Sequence, residues 1–297
     1  VAGAFLCMNC GPIVRCSGPA AERPVRQAGP REIGLIAFLI VGLSAFGVSL
    51  LTLFSGFGLG TLLMPAFALF IPIELAVAST AIVHAANNVF KVGLLAGGAP
   101  RSIVIRFGIP AVIASFLGAI ALSSLSDQSP LGSWAFIGRV AVVTPIKLTM
   151  GFLILGFALF ELIPSLRGMR APVRWLPLGG ALSGFFGGLS GHQGALRAVF
   201  LAPLGLSPTQ FVSTQAVLAL LVDAARLLVY GWFLIVAGHT VSAGPIPWDL
   251  VGAATLCAFA GAYSGKRLLP KVTFGALHVI VGFLLIVVGF ALSVGLV

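Results

Sequence analysis

Long apolar runs, broken by glycine clusters and short polar gaps, set the pattern of this chain. Ile33 to Phe54 is long enough to cross about 30 Å of hydrocarbon at about 1.5 Å per helical residue. Thr61 to Ile71 is apolar but too short to cross. Glu74 to Leu95 and Ile103 to Leu125 follow, then a polar loop from Ser126 to Gly138, then Val140 to Ile163, interrupted by Pro145. The later part repeats the rhythm with Trp175 to Ser190, a short run Ala195 to Leu206, Pro208 to Ala237, Leu250 to Ser264 and Phe274 to Val297. None of these runs alternates apolar and polar residues, as a barrel strand would, and Leu, Ala, Gly and Phe fill them. The pattern predicts an all-α polytopic membrane protein.

Two of the runs break in the same way. Ser55-Gly56-Phe57-Gly58-Leu59-Gly60 precedes the first short run, and Ser190-Gly191-His192-Gln193-Gly194 precedes the second. A shift of 134 residues lays Gly60 on Gly194 and Ser79-Thr80 on Ser213-Thr214; a shift of 135 lays Asn88 and Lys91 on Asp223 and Arg226. The chain therefore reads as two homologous repeats of about four helical segments each. Residues 1–31 form a Pro-rich tail, 32–163 and 175–297 the repeats, and 164–174 a basic linker between them. Each glycine break is expected to tip a re-entrant hairpin.

Composition agrees with a bilayer environment: 59% of residues are hydrophobic and 8% charged, against about a quarter charged in soluble domains. The net charge of +10 does not point to nucleic acid. Arg101, Arg106, Arg167, Arg170, Arg174, Lys266, Arg267 and Lys271 fall in or beside the gaps between apolar runs, as cytoplasmic loops require. With those gaps inside, the loops at Asp127 and His239 lie outside and the two hairpins enter from opposite faces, giving inverted repeats. Arg15, Arg23, Arg26 and Arg31 then fall outside, against the rule. Cys7, Cys10 and Cys16 supply one ligand fewer than a closed zinc site needs, and no basic region precedes Val1 to Met8 as in a secretory signal.

Polar residues within the apolar runs carry the candidate chemistry, because lipid tolerates them only for a reason. Gly58, Gly60, Gly191 and Gly194 let the backbone turn, and a helix restarting there points free N–H groups into the break, which suits an anion. Arg197, in the short run after the second break, requires an anion or carboxylate, or else carbonyls freed at the break. Asp223 and Arg226 stand at the i, i+3 spacing of a helical ion pair. Lys91 has Asn87 and Asn88 where an acid would sit. Ser79, Thr80, Ser213, Thr214 and Gln215 are hydrogen-bond donors for oxyanion oxygens, or bond back to their own helix. His84, His192 and Asp223 are candidates for moving a proton; the same polar groups, with Gln193, are candidates for holding substrate.

These residues resemble the TauE/SafE sulfite exporter family of membrane permeases. The resemblance runs through GFGLGTLLMPAF (Gly56 to Phe67), AVAST (Ala76 to Thr80), GGLSGHQGALRAVFL (Gly187 to Leu201), FVST (Phe211 to Thr214) and DAARLLVYG (Asp223 to Gly231), and covers about residues 33 to 297. It implies a carrier of small anions such as sulfite, sulfoacetate or related organosulfonates, coupled to protons, in a bacterial inner membrane. No cofactor, metal or nucleic-acid partner is implied, and no nucleotide motif is present. Two other readings stand beside it. One is a rhomboid-like intramembrane serine protease, with Ser190 in Gly-Leu-Ser-Gly and His278 as base; the other is an anion channel.

Overall fold

The computed structural model describes residues 34–55, 60–95, 98–136, 139–235, 245–268 and 275–296. Eleven α-helices lie in these segments: α1 Leu35–Ser55, α2 Gly60–Ala68, α3 Ile73–Leu94, α4 Arg101–Ser126, α5 Pro145–Leu162, α6 Pro164–Arg167, α7 Leu176–Ser190, α8 Gly194–Leu201, α9 Pro208–Ile235, α10 Trp248–Leu268 and α11 Gly275–Ser293. Among the described residues, α1, α3, α4, α5 and α9 are long and apolar enough to cross a membrane. Large apolar side chains such as Leu43, Ile113, Leu228 and Phe290 face outward while Asn87, Asp223 and Arg226 are buried. That distribution inverts a water-soluble protein's and suits lipid outside.

One feature lies outside the helical expectation. Residues 132–136 and 139–143 pair as an antiparallel hairpin, β1 and β2, where a polar loop and the start of a helix are predicted. Pro145 does not interrupt a helix but begins one: it sits at the first helical position, where its missing N–H costs nothing, and the Thr144 side chain caps the Lys147 amide at 3.3 Å. The Trp134 indole donates to the Val294 carbonyl at 2.8 Å, tying this hairpin to the end of α11.

Small residues set how the helices approach. Gly180, Gly184 and Gly188 of α7 lie against Phe107, Ala111 and Ser115 of α4, both series advancing by four, so these helices run parallel in close backbone contact. Gly42 and Phe46 of α1 meet Cys257 and Gly261 of α10 in the same parallel sense. Helix α3 also runs along α10, with Phe90 stacked on Phe259 at 4.7 Å and the Lys266 ammonium donating to the Leu94 carbonyl at 3.1 Å. Gly151 and Leu162 of α5 face Ser293 and Gly282 of α11, an antiparallel pair. A β-carbon at Gly184 would fall on the Ala111 carbonyl. Because lipid supplies no hydrophobic drive between helices, such contacts carry the association. Gly184→Val is therefore expected to cost on the order of 2–3 kcal/mol and lower the melting temperature in detergent, whereas Gly252→Val, with nothing within 4 Å, leaves it unchanged.

Helix α9 runs antiparallel to α3. His84 and Asn88 meet Asp223 midway, and Gly98, just past α3, touches Gln210 and Ser213 near the start of α9. Helix α4, which begins at the same end as α9, runs parallel to it, Gly98 touching Gln210 and Ser213 and Gly108 touching Leu218 and Leu221. The Ala171 amide donates to the Val199 carbonyl at 3.1 Å, bringing the basic linker to the end of α8. One end of the bundle thus gathers the α3–α4 connection, the linker, the α8–α9 connection and the end of α10, together with Arg101, Arg170, Arg174, Lys266 and Arg267.

Candidate functional site

Asp223, fully buried on α9, sits at the middle of a polar knot. Its Oδ2 accepts from His84 Nδ1 at 2.5 Å and from Asn88 Nδ2 at 3.1 Å, both on α3. Its Oδ1 accepts from Arg226 Nε at 3.0 Å and Nη2 at 2.7 Å, and from Gln193 Nε2 at 3.4 Å. The i, i+3 pair foreseen from the sequence is therefore present, but it is one part of a junction joining α3, α9 and the α7–α8 break. Short charge-assisted contacts of this kind are the strong ones in a medium of low dielectric.

The break itself is shaped by one glycine. Helix α7 ends at Gly191, which has φ of +80° and returns its amide to the Gly187 carbonyl. A side chain there would be strained, and its β-carbon would lie 2.7 Å from Arg226 Nη1. The glycine thus lets the guanidinium approach the tip backbone. His192 follows, stacked on Phe157 of α5 with ring centroids 5.3 Å apart, its Nδ1 3.2 Å from both Ser190 oxygens. Gln193 and Gly194 open α8. The Ser183 hydroxyl donates to the Gln193 carbonyl and the Tyr230 hydroxyl to the Gly188 carbonyl, at 3.1 and 2.6 Å.

Arg197 lies one turn along α8 and is 2% exposed. Its Nη1 donates to the Gln215 carbonyl at 2.5 Å, while Nε and Nη2 have no partner among the described residues. The carbonyl-binding reading of Arg197 therefore describes one of its donors. Ser213 Oγ and both amide atoms of Gln215 are likewise buried and unpartnered, whereas Thr214 bonds back to the Gln210 carbonyl at 2.6 Å. Buried polar atoms are rarely left so.

The structure does not bring the two hydroxyl pairs together. Ser213 lies ten residues, about 15 Å, before Asp223 along α9, beside Gly98 at the basic end. Ser79 and Thr80, also buried with unpartnered hydroxyls, precede His84 on the antiparallel α3 and lie on the other side of the knot. Lys91 is three residues beyond Asn88, toward the basic end, and donates to Thr52 Oγ1. Gly60 begins α2; Gly58 lies outside the described residues, as does the side chain of His278.

Ser49, Thr52, Phe157 and Tyr230 belong to this interior and escape sequence reading, since single hydroxyls and aromatics in apolar runs are ordinary. The i, i+3 spacing of Ser49 and Thr52 is the one signal available. Ser190, the nucleophile of the protease reading, spends its hydroxyl on the Phe186 carbonyl at 3.0 Å.

Comparison with curated proteins and with solved structures finds no match. The family model for the sulfite exporter TauE/SafE matches residues 40–292, a span holding every residue of the knot, both short helices and all the crossing helices except the first turn of α1. Members of that family are permeases rather than enzymes, which removes the protease reading. With a polytopic helical fold, a polar interior buried in lipid-facing helices and a match over most of its length, the chain belongs to the TauE/SafE sulfite exporter family.

Proposed function

We propose that this protein is a secondary carrier of small oxyanions, sulfite, sulfoacetate or related organosulfonates, working by alternating access and coupled to protons. The observation that carries the reading is Arg197: a guanidinium buried in the membrane whose one side-chain hydrogen bond among the described residues goes to the neutral Gln215 carbonyl, leaving the Nε and Nη2 donors open. A charge left so in a medium of low dielectric is costly, and an arriving oxyanion relieves that cost through the planar donor fork.

The packing supports two inverted repeats, 32–163 and 175–297, joined by the 164–174 linker. Helix α1 lies parallel to α10 and α7 parallel to α4, so the first helix of each repeat packs on the fourth of the other. Helices α3 with α9, and α5 with α11, pair antiparallel, as equivalents across a two-fold axis in the membrane plane would. Helices α1 and α3 both run with α10, so the chain between them has to return, and α2 is its returning limb. Helix α8 plays that part before α9. The basic end of the bundle faces the cytoplasm by the positive-inside rule, which places Arg197 on the cytoplasmic side of the knot, in a bacterial inner membrane.

His84 and Asp223 form the proton-carrying pair. A proton shared between them weakens the hold of Asp223 on Arg226, freeing a cation at the Gly191 tip for the anion as the repeats rock. Sulfite flux into proteoliposomes is the test. Wild-type protein is expected to carry sulfite at a rate set by the pH gradient, and His84→Gln to carry it with that dependence lost. Absence of sulfite and organosulfonate flux from folded wild-type protein would overturn the carrier reading, and a gradient-driven His84→Gln variant would overturn the proton assignment.

A further inference from the structure

Lys91 is 4% exposed, and no carboxylate among the described residues pairs with it. Its surroundings are hydroxyls and an amide. The ammonium donates to Thr52 Oγ1 of α1. With its amide turned to satisfy its neighbours, Asn87 accepts from Lys91 Nζ at 3.2 Å and from Ser49 Oγ at 3.1 Å, and donates to the Ala258 carbonyl of α10 at 3.2 Å. An ammonium has three donors, and these contacts use two. The Thr52 hydroxyl spends its own proton on the Ser49 carbonyl at 2.9 Å, so it accepts from Lys91 without adding charge. The cation is held and oriented by neutral groups, and among the described residues nothing there neutralises it.

The knot offers no relief either. Asp223 is saturated by His84, Asn88, Gln193 and Arg226, and Asn88 stands between it and Lys91 along α3. Arg197, on α8, makes no salt bridge among the described residues. Among the described residues, Lys91, Arg197 and Arg226 are buried cations, and of these three Asp223 bonds Arg226 alone. Isolated buried charges of this kind persist where something of opposite sign visits them.

We propose that Lys91, with Thr52, Ser49 and Asn87, forms a second oxyanion subsite on α1 and α3, separate from the one at Arg197. It takes a compact, hydrogen-bond-accepting anion of the sulfite or sulfate kind, coordinated by the free ammonium donor, with the Ser49 hydroxyl turned from Asn87 toward it. The subsite rests on the anion-carrier reading and adds to it a carrier interior able to hold two negative charges at once, one on each repeat.

Binding stoichiometry tests it. Full-length protein in detergent, titrated with radiolabelled sulfite at fixed pH, is expected to bind two anions per chain. Lys91→Met and Arg197→Met are each expected to bind one, and the double variant none. Thr52→Val keeps the cation and is expected to weaken only the second event, about tenfold for one lost hydrogen bond. That variant also decides the case should Lys91→Met not fold. One anion per chain in the wild type, retained by Lys91→Met and lost in Arg197→Met, would overturn the second subsite and leave the carrier reading standing. Undiminished binding in Arg197→Met with loss in Lys91→Met would overturn the Arg197 site instead.

Discussion

Arg197→Met is expected to reduce sulfite flux in proteoliposomes by about 100-fold or more without lowering the melting temperature. The size follows from the two open nitrogens. Each charge-assisted hydrogen bond to an oxyanion contributes about 1.5–3 kcal/mol, and each 1.4 kcal/mol is about a factor of ten in affinity. The direction of the stability change is the sharper readout. Arg197 makes one bond, to the Gln215 carbonyl, and leaves Nε and Nη2 buried without partners; methionine fills similar space without charge, so the variant is expected to melt at the wild-type temperature or above it. A purely structural arginine would behave in the opposite way, losing stability while flux per folded molecule persisted. Arg197→Lys keeps the charge and loses the planar fork, so about a tenth of the flux is expected to remain.

Asp223→Ala is expected to be the most destabilising single change in the interior, by about 3–5 kcal/mol, the cost of leaving a buried charge without its partner. Four groups from three elements converge on that carboxylate: His84 and Asn88 from α3, Gln193 from the α7–α8 break and Arg226 from α9 itself. Removing it strands a guanidinium that is fully buried. The second change decides between electrostatics and packing. Asp223→Ala combined with Arg226→Met removes both charges, and the pair is expected to recover much of the lost stability while remaining inactive in transport. Equal destabilisation in the single and double variants, seen as equal melting temperatures, would mean that the knot acts through shape rather than charge.

Much of this was legible from the chain because lipid makes unusual demands. A polar residue in an apolar run stands out whatever its neighbours, so His84, Asn88, Lys91, Arg197, Asp223 and Arg226 were all visible, and all six are buried. The glycine clusters were visible but ambiguous. Gly191 turned out to need its positive φ and its closeness to Arg226, while Gly188, three residues earlier, serves the α4–α7 contact. The two uses look alike in sequence, since both simply require the absence of a side chain. The β-hairpin at 132–143 was hidden for another reason: its apolar half, Val140 to Val143, reads as continuous with the helix that Pro145 begins.

Hydropathy and the cost of polar atoms in lipid act residue by residue, so the polytopic helical class and the inventory of buried polar groups can be read along the chain, as can the family from its motifs. Partnership was decided only by the tertiary structure. Asp223 meets His84 across 139 positions of chain, Ser79 and Ser213 fall on opposite sides of that junction although one shift aligns them in sequence, and Lys91 meets no acid among the described residues. Those outcomes depend on helix direction and crossing, set by which glycine faces which carbonyl, and such contacts between distant segments leave no periodic trace along the chain.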